Sequence, residues 1–328
     1  MTIRVGVVGT GVMGADHARL FAREVRGAVL GGVADPEEER ARAVAGNASV
    51  FTDPLQLIRS TDVDAVVVAS PDHTHKDTVM ACLEAGKPVL CEKPLAIDAA
   101  QCLEIVRKEQ ELGKKMVQVG FMRRFDPCYA ELKSTLATGS IGIPRIVHNQ
   151  HRNARAPEWF TAHMALTNSF VHEIDVTRWL LGAEFVRGHV TEAPSAGDIP
   201  KGDPLMITLE TDTGAIVSTE VFMNADYGYH VHCEIAGTRG TTSMAHPALT
   251  RTRLDRAERG AFPENWIPRF ADAYRIQDQS WINSLLDGTH KNEGATAWDG
   301  FVATTVAEQL VTAIDMGAPV DLTLPEHP

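Results

Sequence analysis

The chain has 328 residues, 44% hydrophobic and 23% charged, enough for about two domains whose cores need no disulfide or metal staple. Its 31 Lys and Arg against 43 Asp and Glu leave a net charge of −12, which repels phosphate backbones and argues against a nucleic-acid partner. No apolar run reaches the ~18 residues of a membrane span, and five cysteines without a C-x-x-C argue against a disulfide framework or a zinc site.

The odd cysteine number fits a reducing cytoplasm, and thirteen histidines without an H-E-x-x-H give no reason to expect a metal. Met1 leads straight into an apolar run, so no signal peptide is expected. Ile3–Val8 reads as a strand and Met13–Val25 as a helix. Ala28–Ala34 is a second strand, and Pro36 opens a helix through Ala45. A short strand near Val50 follows, then a strand at Asp64–Ser70, β-branched enough to be buried on both faces. Thr74–Ala85 is helical up to Gly86, Pro88–Cys91 a strand, Asp98–Leu112 a helix stopped by Gly113, and Lys115–Val119 a strand. Such alternation predicts an α/β, doubly wound parallel sheet.

After Gly120 the pattern changes. Helices are predicted at Pro127–Ala137, Asn168–Leu181, Ile267–Asp287 and Ala295–Met316. Strands are predicted near Arg145–His151 and at Phe185–Thr191, Leu205–Thr211, Ala215–Asn224 and His230–Ala236. This predicts a second, α+β domain with a mostly antiparallel sheet. The expected division is residues 1–121 and 122–328, with the last helix packing back on the first domain.

Gly9-Thr10-Gly11-Val12-Met13-Gly14 is a G-x-G-x-x-G set between the first strand and the first helix, the context in which the motif binds a dinucleotide. Gly9 permits the turn, Gly11 lets a pyrophosphate approach, and Gly14 lets helix pack on strand. Asp35, about 20 residues further on, ends the second strand, where a carboxylate accepts ribose hydroxyls and repels a 2′-phosphate. NAD is therefore expected over NADP. Asp35 also qualifies as an N-cap ahead of Pro36, and Arg40 and Arg42 are expected to face solvent.

Ser70-Pro71-Asp72-His73-Thr74-His75 and Cys91-Glu92-Lys93-Pro94 end two further parallel strands, where ligands bind in open α/β sheets. With the glycine loop, these residues resemble the glucose–fructose oxidoreductase, inositol dehydrogenase and rhizopine catabolism (Gfo/Idh/MocA) family across the whole chain. His151-Arg152-Asn153, His172-Glu173-Ile174-Asp175, Tyr227-Gly228-Tyr229 and Ala297-Trp298-Asp299-Gly300 resemble its inositol 2-dehydrogenase branch. The resemblance implies a Rossmann domain followed by an open-faced sheet often used in tetramers. It implies NAD held by Gly9, Gly11, Val12, Met13, Gly14, Asp35, Ser70, Pro71, His75, Glu92 and Lys93. It makes Lys93 and His172 catalytic, with Asn168 as orienting partner, and Arg123, His151, Asn153, Asp175 and Tyr229 substrate contacts. Arg124 and Tyr227 are adjacent alternatives to Arg123 and Tyr229. Asn168 departs from the aspartate usual in the branch, which leaves another inositol isomer, an inosose or a pyranose open as substrate.

The residues support this chemistry directly. Oxidising a secondary alcohol needs a proton acceptor near neutral pKa, which histidine supplies. In a regular helix from 168, positions 168, 172 and 175 share one face. Lys93 before Pro94 is expected to be extended, its ammonium suited to stabilising a developing alkoxide. His151, Asn153, Asn168 and Tyr229 suit a neutral polyol, although 151 and 153 face solvent equally well on an exposed strand. Arg123 and Arg124 can equally be a solvated pair. A non-catalytic NAD-binding regulator on the same fold is the reading from another class, but a regulator has no need of both Lys93 and His172.

Overall fold

Ala65–Val68 is buried at every position and Ile3–Val8 at all but one, because both faces of the sheet they form are covered. The computed structural model describes residues 2–245, 251–288 and 293–327, and the chain divides into two units. The first holds the chain up to Phe125, Asp272–Thr305 and the C-terminus from Pro325. Its strands are β1 (Ile3–Val8), β2 (Ala28–Ala34), β3 (Ser49–Phe51), β4 (Ala65–Val68), β5 (Val89–Cys91), β6 (Val117–Val119) and β15 (Ala295–Thr296). They lie in the order β15-β6-β5-β4-β1-β2-β3, parallel except for β15, so the order reverses at β1. This is the doubly wound sheet expected, with its ligand crevice at the strand ends around β1 and β4.

The helices of this unit follow from local chemistry. Helix α1 (Val12–Arg23) buries Ala18, Leu20 and Phe21 on one face. Helix α5 (Ala99–Leu112) starts at Asp98, which accepts the N–H of Gln101 at 2.7 Å, and stops at the left-handed Gly113. Helix α2 (Glu38–Ala45) begins two residues later than expected. The Asp35 carboxylate accepts the N–H of Glu37 at 2.9 Å, which folds Asp35-Pro36-Glu37 into a turn and makes Glu37 the N-cap. The sequence reading passed over α3 (Pro54–Arg59), despite its Asp53 cap and first-turn proline. Helix α4 is His75–Glu84, preceded by a 3₁₀ turn at Asp72–Thr74.

The second unit holds Asp126–Ala271 and Val306–Leu324. Its sheet runs β12 (Thr241–Ser243), β11 (His230–Gly237), β7 (Pro144–Arg152), β10 (Ile216–Phe222), β9 (Leu205–Thr211), β8 (Phe185–Glu192), β16 (Val320–Asp321). All pairs are antiparallel except β7 with β10. Val147, Asn149 and His151 point from β7 to the covered face, while Ile146 and His148 are exposed on the other. A two-stranded ribbon, β13 (Thr252–Leu254) and β14 (Ala257–Arg259), is a further addition.

Helix α6 is Pro127–Ala137, as expected. A short helix, α7 (Ala162–Met164), a π turn (Ala165–Phe170) and α8 (Val171–Leu181) replace the single regular helix expected from Asn168. Helices α9 (Trp266–Leu286) and α10 (Ala297–Met316) each contribute to both units, so more than the last helix returns to the first. Ala295 and Thr296 form β15 instead of opening α10. Thr296 and Asp299 make a reciprocal capping box there, each accepting the other's N–H. Gly300 follows because a Cβ would lie 2.9 Å from that of Leu95. Among the described residues no helix is long and apolar enough to cross a membrane.

Candidate active site

In the first unit the loop glycines divide their tasks as the sequence predicts. Gly9 has φ +83°, and a Cβ there would lie 2.5 Å from the main chain of Ser70. A Cβ on Gly14 would lie 1.8 Å from the Gly9 carbonyl oxygen, so helix and strand could not approach as they do. At Gly11 a Cβ would meet nothing within 4 Å. That open space lies at the N-terminus of α1, whose N-cap Gly11 supplies no side-chain acceptor. A helix start left open in this way suits a pyrophosphate.

Asp35 is buried. One carboxylate oxygen accepts both the N–H and the hydroxyl of Thr10 at 2.9 Å, and the other accepts the N–H of Glu37. Burial pushes its carboxyl up, but these donors and Arg40 outweigh burial and hold it below the usual carboxylate range. Arg40 does not simply face solvent: its Nε lies 3.9 Å from Asp35, while its terminal nitrogen pairs with Glu37. Arg42 pairs with Glu38 on the exposed face of α2.

The two strand-end turns are tied together. The buried ring of His75 sets Nδ1 2.7 Å from the carbonyl oxygen of Pro94 and Nε2 2.8 Å from that of Ser70. Both nitrogens are thus engaged by main chain, which makes His75 a brace between the Ser70-Pro71 turn and the Glu92-Lys93-Pro94 turn. The Lys93–Pro94 peptide is cis. Arg123 and Arg124 are both buried in a 3₁₀ turn, so they are not a solvated pair. Arg124 lies 3.3 Å from Asp299, which gives the late Trp298-Asp299-Gly300 motif a structural task.

Sequence reasoning missed a buried ion cluster behind the Glu92-Lys93 turn. His17, on α1, sets Nε2 3.0 Å from Glu92 and Nδ1 2.9 Å from Asp278 of α9, with Tyr274 edge-on to the ring. Burial pushes His17 down, but Asp278 and Glu92 outweigh it and raise its pKa from 6.5 to about 10. Burial pushes the Asp278 carboxyl up. A histidine pKa raised in the folded state stabilises the fold fully below about 6.5, and that stabilisation is lost as pH rises through 10. Denaturant unfolding followed across that window is expected to show stability falling with pH, and much less so in His17→Leu/Asp278→Leu. An equal decline in both proteins would contradict the assignment.

In the second unit, His151 is buried on the covered face of β7, not turned to solvent. Its Nδ1 lies 3.1 Å from Glu173 of α8, and its ring meets that of Tyr229 edge-on at 5.9 Å. One turn along α8, Thr177 accepts from Asn149 at 3.1 Å. Glu173 and Thr177 therefore pin α8 to β7, a pairing legible in the i, i+4 and i, i+2 spacings but not drawn from them. Tyr229 is buried, whereas Tyr227 is exposed and its hydroxyl engages Arg152 and His230. This favours Tyr229 of the two alternatives. Asn153 follows β7, and its buried Oδ1 has no hydrogen-bond partner among the described residues.

His172 and Asp175 are buried on α8. Asn168 lies in the π turn, whose i→i+5 bonding adds a residue to that turn. Asn168 thus precedes His172 across the junction of the π turn and α8, where one regular helix was expected. Burial pushes the Cys82 thiol up to about 12 and raises that of Cys91 well above its ordinary value, which disqualifies both as nucleophiles.

The model of the GFO/IDH/MocA oxidoreductase family, NAD-binding Rossmann fold, matches residues 3–121, and that of the family's C-terminal domain matches residues 129–243. The chain is 51% identical over 334 aligned positions to inositol 2-dehydrogenase 1 of Saccharopolyspora erythraea, covering 100% of this chain and 98% of that one. Identity to inositol 2-dehydrogenase of Klebsiella pneumoniae is 37% over the same shares. Myo-inositol dehydrogenase of Lactobacillus casei, solved with NAD(H) and myo-inositol, superposes with a TM-score of 0.95 at 33% identity, over 100% of this chain and 99% of that one. Scyllo-inositol dehydrogenase of the same organism, solved with NAD(H) and scyllo-inositol, gives 0.89 at 25%, over 98% and 99%. With both domain models matched and half of all positions identical to a full-length relative, this chain belongs to the GFO/IDH/MocA family of oxidoreductases.

Proposed function

We propose that this protein is an NAD-dependent dehydrogenase that oxidises a ring hydroxyl of an inositol to a ketone, with myo-inositol as the leading substrate. The full-length likeness to an enzyme holding NAD(H) and myo-inositol carries this reading. Bound NAD supplies the hydride acceptor. Gly9, Gly11, Val12, Met13 and Gly14 hold the pyrophosphate, and Asp35 takes the ribose hydroxyls. Ser70, Pro71, Glu92 and Lys93 line the remainder, with His75 bracing them. The hydroxyl proton passes to His172 as the C–H and O–H bonds break and C=O forms. Lys93 donates a hydrogen bond to the reacting oxygen and stabilises its developing charge. Asn168 orients His172, and Arg123, His151, Asn153, Asp175 and Tyr229 hold the other hydroxyls.

Asn168 favours a second reading, oxidation of another inositol isomer. NADH formation with myo-inositol, scyllo-inositol, other isomers and pyranoses separates the two. Robust turnover with one isomer is expected, and none with any polyol would leave the regulator. The exposed face of the second sheet, with Ile146, Met206 and Ile216, supports a homo-oligomer, a tetramer by family resemblance. The five cysteines, none of them in a disulfide, suit the cytoplasm.

The anionic Asp35 sets cofactor choice. NAD is expected to be preferred over NADP by at least about tenfold in kcat/KM, roughly 1.4 kcal/mol. Asp35→Ser is expected to erode this by raising NADP use. Equal efficiencies in the wild type would contradict the role.

A further inference from the structure

His17, Asp278 and Glu92 form a continuous path to Lys93. Asp278 and His17 are fully buried and 2.9 Å apart, and the other ring nitrogen is 3.0 Å from Glu92 Oε1. Glu92 Oε2 in turn lies 3.3 Å from the N–H of Lys93. Gly120 is part of the same arrangement, since a Cβ there would lie 3.0 Å from the Glu92 carboxylate. The path joins α1, which carries the glycine loop, to α9 and to the turn after β5. The ring and the Asp278 carboxylate are thus fully removed from water, and the Glu92 carboxylate nearly so.

Stability alone gives little reason for such a cluster, because well-packed apolar residues often replace a buried ion network without loss. A cluster of this kind does fix geometry. The carboxylate of Glu92 is held at both oxygens, one by the ring and one by the N–H that follows it in the chain. The Glu92 carboxylate thus ties the main chain at Lys93, the root of its side chain, to the buried ring of His17.

We propose that His17, braced by Asp278, is a positioning residue that fixes Lys93 for the reaction through Glu92. This rests on the role given to Lys93 above.

The test compares His17→Leu/Asp278→Leu, which removes the ring and its outer carboxylate together, with Lys93→Ala and with the triple variant. The leucine pair is expected to fold, to bind NAD within about threefold of wild type by titration, and to lose at least about tenfold in kcat. Added to Lys93→Ala, it is expected to lower kcat little further, because both changes remove one element. A folded leucine pair with wild-type kcat would overturn the proposal, as would full additivity with Lys93→Ala. Full turnover by Lys93→Ala itself would instead overturn the role of Lys93, and the proposal with it. If the leucine pair does not fold, His17→Gln provides the same comparison. A tenfold loss of kcat with NAD affinity kept supports the proposal, and wild-type kcat overturns it.

Discussion

Lys93→Ala is expected to bind NAD nearly as tightly as the wild type while losing about 10²–10³ in kcat. The reacting oxygen gains negative charge as the hydride leaves, and an ammonium donor stabilises that charge more than it stabilises the neutral alcohol. Its loss therefore appears in turnover and not in cofactor affinity. The glycine loop and Asp35, which hold NAD in this account, are untouched by the change. Titration with NAD and steady-state kinetics at saturating NAD separate the two quantities. Collapse of NAD affinity with turnover preserved would make Lys93 a cofactor anchor and remove it from the chemistry.

His172→Ala is expected to reduce kcat by about 10²–10⁴, the range typical of a positioned general base. It is also expected to remove the acidic limb of the pH–rate profile, since the group whose deprotonation permits reaction is gone. Asn168→Asp is the companion change. A carboxylate beside the ring favours imidazolium, so the limb is expected to move to higher pH. An unmoved limb would mean that residue 168 does not act on the histidine across the π turn. Full activity in His172→Ala would place the base elsewhere.

Much of this is legible in the amino-acid sequence. The alternation of apolar strands and helices gave the first sheet, and the three glycines with Asp35 gave its ligand crevice, because those features are local in sequence. What was missed is non-local or irregular. His17 stands among buried Ala18, Leu20 and Phe21, so a polar residue on an apolar helix face was visible, but its partner Asp278 lies 261 residues away. Glu173 was read past in favour of His172 and Asp175, although only its register places it opposite His151. The π turn is silent because the apolar periodicity of Ala165, Leu166 and Phe170 continues through it. The capping box at Thr296 was present in sequence, yet the apolar run around it read as unbroken helix.

The central claim is hydride transfer from an inositol ring carbon to NAD, and myo-inositol deuterated at the reacting carbon tests it most directly. The account predicts that the purified protein converts it to the corresponding ketone, with the deuterium recovered in the reduced cofactor in equal amount. Binding of NAD without ketone or deuterated cofactor, under saturating polyol, would contradict it.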